Sequence, residues 1–243
     1  MQLKVRREEL SAALDVAAEI AEDSDTACYL VGGAVRDALL GRTVLDLDTA
    51  VEGDGVAFAR RLGERLRVPV VQHPGFGTAT VSFPAGYRLD VASTRRERYR
   101  KPGALPSVEP APLEEDLMRR DFTVNSLAVP ISRIDRRHLV DPSGGVEDLE
   151  RRLLRVHHDG SFLDDPTRIL RGVRFEARLR FRLEERTEEL AREALSAGAL
   201  ASVSEGRLRR ELRLVAAEER SPVARLRDLG VPTHVLGLEG ASG

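Results

Sequence analysis

Apolar and polar residues recur in two rhythms along this chain, and the change of rhythm divides it. Residues 7–22, REELSAALDVAAEIAE, repeat apolar positions at helical spacing and predict an amphipathic helix. ACYLV (27–31) predicts a short buried strand, AVRDALLG (34–41) a helix stopped by its glycine, and VLDLDTAV (44–51) an alternating strand. A helix over 55–67 and strands near 68–72, 77–83 and 87–92 follow. Residues 100–112, RKPGALPSVEPAP, hold four prolines and predict a mobile loop. EEDLMRRDFTVNSLAV then restarts helix, and HLVDPSGGVEDL reads as strand and turn. From about residue 146 strand signals vanish, leaving Arg/Glu-rich helices over 146–153, 164–181, 185–196 and 204–219. The expected organisation is an α+β domain over 1–145, a mixed sheet with helices, then an all-helical domain over 146–230 and a weakly ordered tail over 231–243.

Composition adjusts this picture in three places. The 243 residues are 42% hydrophobic and 32% charged with a net charge of −2, so the chain is not a generally basic nucleic-acid binder. Aromatics make up only 4%, so Leu, Val and Ala must build the core. No apolar run approaches the ~20 residues of a membrane span, and the first ten residues lack the apolar stretch of a secretory leader. A cytoplasmic protein without membrane contact is expected. Cys28, the single cysteine, sits in an apolar run and reads as a small buried hydrophobe.

Carboxylates carry the first chemical signal. On a strand alternate side chains share a face, so Asp46 and Asp48 point one way and Leu45 and Leu47 into the core. Two like charges this close favour protonation of one unless a cation lies between them. Mg²⁺ suits one or two carboxylates plus substrate phosphates. A solvent-facing acidic strand is the plainer reading of the pair alone. Asp90, on the alternating strand YRLDVAS (87–93), offers a third carboxylate. If that strand lies alongside, the trio can hold two metals ~4 Å apart, and Asp90 can accept a hydroxyl proton. Gly32 and Gly33, between a strand and a helix, make either a tight turn or a place where backbone N–H groups approach phosphate. Arg36, one turn on, can pair with phosphate oxygens.

Five stretches in order then resemble one family. LVGGAVRD…LLG…LDLD looks like the signature of class II tRNA nucleotidyltransferases and bacterial poly(A) polymerases, within the polymerase-β-like nucleotidyltransferases. RLDVASTRRERY (88–99) is similar to the strand bearing the family's third carboxylate. RRDFTVNSLA (119–128) resembles its RRDFTxNA motif, with Ser126 where Ala is usual. LDDPTRILRGVRF (163–175) resembles the nucleobase-reading motif EDxxRxxRxxRF, with Asp164 in place of Glu. VSEGRLRRELRL (203–214) resembles the helix that braces that reader. The resemblance implies a polymerase-β-like head, a helical neck, and a metal-dependent enzyme adding nucleotides to RNA 3′ ends. It implies that Asp46, Asp48 and Asp90 bind Mg²⁺, that Arg120 contacts the nucleotide and that Asn125 supports the ribose or the turn. It also implies that the proline-rich loop moves between C and A addition.

The reader motif has its own logic. Asp165 and Arg168, three apart in a helix, present an acceptor beside a fork of donors. Cytosine and adenine offer an exocyclic amine to Asp and a ring nitrogen to Arg. Uracil and guanine would set a carbonyl against the carboxylate, at a cost of about 1–3 kcal/mol. Such a pair passes CTP and ATP without a template. Asp before Pro is equally a helix start, and our reading is that Asp164 caps while Asp165 reads. Arg171, Arg174 and Arg178 lie on the polar side of that helix, either as a solvated face or, for Arg171 and Arg174, as contacts to triphosphate or RNA. The expected activity is CCA addition to tRNA from CTP and ATP. A poly(A) polymerase, a CC-adding or A-adding enzyme, an inactive RNA-binding relative, and transfer to a protein or small molecule stay open. Residues 146–243 carry 18 Arg against 18 Asp plus Glu, and the family's further helical domains are not matched. Either few contacts hold the tRNA, or an oligomer or partner subunit helps, or the protein is a truncated or specialised relative.

Overall fold

A computed structural model describes residues 3–4, 8–44, 46–218 and 222–236. The chain folds as two compact units: residues 1–97 with 108–149, and residues 98–107 with 150–243.

The first unit is built on β1 (Cys28–Val31), β2 (Leu47–Val51), β3 (Val70–His73), β4 (Thr78–Ser82), β5 (Arg88–Ser93) and β8 (Ala128–Pro130). β6 (Arg95–Arg98) and β7 (Ser107–Pro110) form a separate two-stranded ladder. The main sheet runs β3-β4-β5-β2-β1-β8, and β2 and β5 are its parallel pair. One face is apolar: Leu47, Val51, Ala79, Val81, Leu89 and Val91 are buried. Helices α1 (Glu8–Asp23) and α3 (Gly55–Leu66) pack together, and α3 also lies on β4 and β5. α3 starts where the Asp54 side chain accepts the Ala57 N–H at 2.9 Å, an N-cap that fixes the turn after β2. α2 (Gly33–Leu39), α4 (Leu113–Met118) and α5 (Gly145–Arg151) complete the helices of this part. Cys28 is buried as expected, and burial pushes its thiol up to about 12.

The second unit holds α6 (Ser161–Asp164), α7 (Thr167–Leu179), α8 (Glu185–Ser196), α9 (Glu205–Ala216) and α10 (Val223–Leu229). A two-residue parallel ladder, β9 (Leu153–Leu154) with β10 (Arg182–Leu183), accompanies them. Strands this short have no periodicity to read.

The mixed sheet and the helical second part follow the expected α+β class. Local structure differs in several places: the part expected to be all-helical carries the β9–β10 ladder, and the helix expected over 146–153 ends at Arg151. Residues 100–112 are not one loop, because β7 pairs with β6 inside that stretch. The helix restarted at 114 stops at Met118; a 3₁₀ turn at Thr123–Asn125 follows and β8 joins the sheet edge beside β1. The helix foreseen over 164–181 breaks at Asp165–Pro166, where Asp165 is extended. β2 begins only at Leu47, with Asp46 in a bend before it. Leu45, Arg7 and residues 237–243, which figure in the sequence expectations, lie outside the described residues.

Candidate active site

On the face of the sheet opposite α3, Leu113 and Leu117 of α4 cover Val31, Ala50 and Ala128, while the part around Asp48, Asp90 and Thr80 stays open and polar. β2 and β5 run in parallel register with Asp48 beside Asp90, so the two carboxylates share this face on neighbouring strands about 5 Å apart. Thr80 lies directly across from Asp90 on β4, and its Oγ1 donates to Asp90 Oδ1 at 2.5 Å. Thr49 Oγ1 donates to the Asp90 carbonyl at 3.1 Å from within the sheet. Asp46, exposed in its bend, is not placed by strand alternation as the sequence suggested, yet its charge reaches Asp48.

These charges crowd one group. Part of the Asp48 side chain reaches solvent, but protein atoms surround its carboxylate on the remaining sides. Desolvation is the largest cause holding that carboxyl above its ordinary 3.8; Arg120 and Arg36 pull it down, Asp90 and Asp46 push it up. Neither Asp46 nor Asp48 makes a side-chain hydrogen bond to a described residue. The donor set is hard oxygen whose like charge Arg120 and Arg36 only partly offset, which suits a divalent cation. Among the described residues no three His, Cys, Asp or Glu side chains already form a group that could hold a metal ion. A protein-only cage is therefore not built. The arrangement fits Mg²⁺, which takes one or two carboxylates and completes its shell with water and phosphate.

The glycine turn lies at the end of β1, the strand on the other side of β2. Gly32 has φ +65°, a backbone conformation that favours glycine, and a Cβ there would lie 2.8 Å from Arg120 Nη1, so a side chain would displace that guanidinium. The Gly32 N–H is already bonded to the Leu127 carbonyl at 2.9 Å and does not point to solvent as a phosphate donor. Arg36 is only 6% exposed. Its guanidinium donates to Asn125 Oδ1 and to Asp37 at 2.9 Å, and it lies 3.4 Å from the Cβ position of Gly33. Asn125 Nδ2 in turn donates to Asp121 at 2.9 Å. Asn125 is thus a strut between Arg36 and Asp121, and Arg36 stiffens the turn from beneath.

Asp116, which the sequence reading passed over, organises the arginines here. It is 1% exposed and pairs with Arg119 at 2.6 Å and Arg120 at 2.9 Å. Burial alone would raise its carboxyl, but the two guanidinium groups hold it below the usual carboxylate range. Its spacing to the two arginines, i+3 and i+4 on a helix, was readable as a pair signal.

In the second unit, Asp165 Oδ1 accepts from Thr167 N at 3.0 Å, Thr167 Oγ1 at 2.6 Å and Arg207 Nη2 at 2.9 Å. Asp165, not Asp164, therefore caps α7, because the chain at Asp165 is extended and its side chain folds onto the first turn. Asp164 stands 3.6 Å from His158. Oδ2 of Asp165 takes no hydrogen bond from a described residue. Arg207 also donates to the Gly103 carbonyl at 2.9 Å, a contact no local pattern announces. The arginines of α7 are not one solvated face: Arg168 and Arg174 are 6% and 8% exposed, Arg171 is half-buried and Arg178 is exposed. Arg174 lies 3.9 Å from Glu211, with its Nε and Glu211 Oε2 both buried without a hydrogen bond. The guanidinium groups of Arg171 and Arg174 lie 5.9 and 5.5 Å from the Phe175 ring centre. An apolar cavity of about 1040 Å³ between α8, α9 and residues 232–236 includes none of the candidate residues in its lining.

Residues 28–155 match the poly A polymerase head domain. The chain is 46% identical over 192 residues to an A-adding tRNA nucleotidyltransferase of Aquifex aeolicus, covering 79% of this chain and 23% of the relative. It is 43% identical over 196 residues to a CC-adding tRNA nucleotidyltransferase of Deinococcus radiodurans, covering 81% and 51%. A solved tRNA nucleotidyltransferase complexed with a primer tRNA and an incoming ATP analog superposes with a TM-score of 0.80. It is 39% identical, and the match spans 90% of this chain and 62% of that one. The chain thus spans between a quarter and a half of the length of these curated relatives.

Proposed function

The chain belongs to the poly A polymerase head-domain family, and on that premise we propose that it transfers CMP and AMP from CTP and ATP to the 3′-OH of tRNA, without a template, in the cytoplasm. The observation that carries this reading is the parallel register of Asp48 and Asp90 on an open sheet face, one strand from the glycine turn. Asp46, Asp48 and Asp90 hold Mg²⁺, which when bound supplies charge neutralisation for the triphosphate and acidifies the attacking hydroxyl. Asp90, oriented by Thr80, receives the 3′-OH proton as the hydroxyl attacks the α-phosphorus and pyrophosphate leaves. Arg120, fixed by Asp116, offers its guanidinium to the triphosphate beside Gly32 and Gly33. Arg36 and Asn125 keep that turn in shape. Catalysis is by positioning and electrostatics, with no covalent intermediate.

Within the second unit, Asp165 Oδ2 and Arg168 select the base. With Oδ1 engaged by Thr167 and Arg207, Oδ2 is left to accept an amine, which cytosine and adenine have and uracil and guanine lack at that position. Arg171 meets phosphate or RNA backbone, while Arg174, buried beside Glu211, supports α7 against α9. A narrower reading, A addition alone, is favoured by the A-adding relatives at 46%, 45% and 43% identity. Supplying tRNA ending before CCA, after C and after CC, with each nucleotide separately, separates the two. Full CCA addition is the expected result; extension only of tRNA ending in CC with ATP selects the narrower reading. Loss of all extension in Asp46→Ala is expected. No extension of any RNA by the intact protein would end both readings.

A further inference from the structure

The sheet order assigns sides to the reaction. The glycine turn, Arg36 and Arg120 lie on the β1 side of Asp48; β4 and β3 lie on the far side of Asp90. An in-line displacement needs the attacking hydroxyl and the leaving pyrophosphate on opposite sides of the α-phosphorus. The RNA end must then approach over β4 and β3. That face is open. Val71, Thr80, Asp90 and Asp48 form one row across four strands, and Val71 is 51% exposed.

An incoming RNA strand meets three carboxylates there, so its own phosphate needs a cation. Arg88 is on the same face, two residues before Asp90 on β5, opposite Ser82 on β4. It is exposed and makes no ion pair with any described residue. Alternate residues on a strand are about 7 Å apart, the scale of one backbone nucleotide between its phosphate and its 3′-OH. The geometry points to Arg88 as the anchor for the phosphodiester of the RNA's 3′-terminal nucleotide, holding the acceptor end on the β4 side while its hydroxyl reaches Asp90. Val71 supplies apolar surface beneath the terminal base. This rests on the nucleotidyl-transfer reading above and adds to it the acceptor's binding surface.

The test is the affinity of the full chain for a 5′-labelled RNA hairpin with a single-stranded 3′ end, by fluorescence anisotropy, at several salt concentrations. Arg88→Ala is expected to weaken RNA binding about tenfold and to lower the log–log salt slope by about one. Arg88→Glu should weaken it further and Arg88→Lys should recover most of the affinity. Affinity for a fluorescent ATP analogue with Mg²⁺ should stay within twofold of the parent chain. In turnover, KM for RNA should rise with kcat nearly unchanged. RNA affinity unchanged in Arg88→Glu would overturn the assignment. So would an equal loss of nucleotide affinity, which would put Arg88 on the triphosphate instead. Binding needs no turnover, so these outcomes decide Arg88 even if the intact protein extends no RNA, a failure that would count against the activity and not the surface.

Discussion

Asp48 is a carboxylate under strain from its neighbours, and that makes it informative without any activity measurement. Its pKa is raised, so the stability it allows below pH 3.8 is lost as pH rises through its folded value. At neutral pH and without metal, Asp48→Asn should leave the protein as stable or raise its melting temperature by about 2 °C. Nucleotidyl transfer should disappear, and added Mg²⁺ should stabilise the parent chain more than the variant. A large loss of stability in Asp48→Asn, read by thermal melting, would mark the group as structural. Asp116 is the opposite case. Its pKa is lowered by Arg119 and Arg120, so its contribution is present above the ordinary value near 3.8 and lost as pH falls through its folded value. Asp116→Asn leaves two guanidinium groups without their buried partner and should cost about 3 kcal/mol in urea unfolding at pH 7, less below pH 4.

Among elements, α9 does more than pack on α7. Through Arg207 it ties the cap of α7 to Gly103, on the segment linking β6 and β7. Gly103 donates to the carbonyls of Leu163 and Asp164, and at φ +68° a Cβ would fall 2.2 Å from Ser202 Oγ. Residues 98–107 are therefore seated on the second unit at that point. Arg207→Ala should speed amide exchange in 98–107 and 165–168 while leaving β2 and β5 unchanged in hydrogen-exchange mass spectrometry. With Asp165 no longer held from one side, discrimination of ATP against GTP should fall about tenfold. Unaltered exchange across 98–107 would separate the segment from Arg207.

For the whole molecule, the division of labour follows the chain's own crossings between units at 97/98, 107/108 and 149/150. The first unit holds the carboxylates and the glycine turn; the second holds the acceptor–donor pair at the start of α7. Among the described residues no helix is long and apolar enough to cross a membrane. The net charge of −2 gives no overall attraction for a polyanion, so the phosphate contacts proposed for Arg88 and Arg120 would act locally.

Periodicity was enough to mark most helices and strands, because burial of one face imposes a rhythm of two or 3.6 residues on the chain. Spacing likewise singled out Asp46, Asp48, Asp90, the double glycine and Asp165 with Arg168 as candidates for chemistry. Three things were settled only in three dimensions. Asp48 stands beside Asp90, 42 positions away, because β2 and β5 happen to run parallel in that register. Arg36 looked like a phosphate ligand and is a buried strut, since its partner Asn125 comes from 89 positions away. Asp165 rather than Asp164 caps α7, because the backbone extends at Asp165 and Arg207 arrives from another helix. Local pattern encodes which face of an element is buried. It does not encode which distant side chain will meet that face, and hydrogen bonds and charge coupling depend on that meeting.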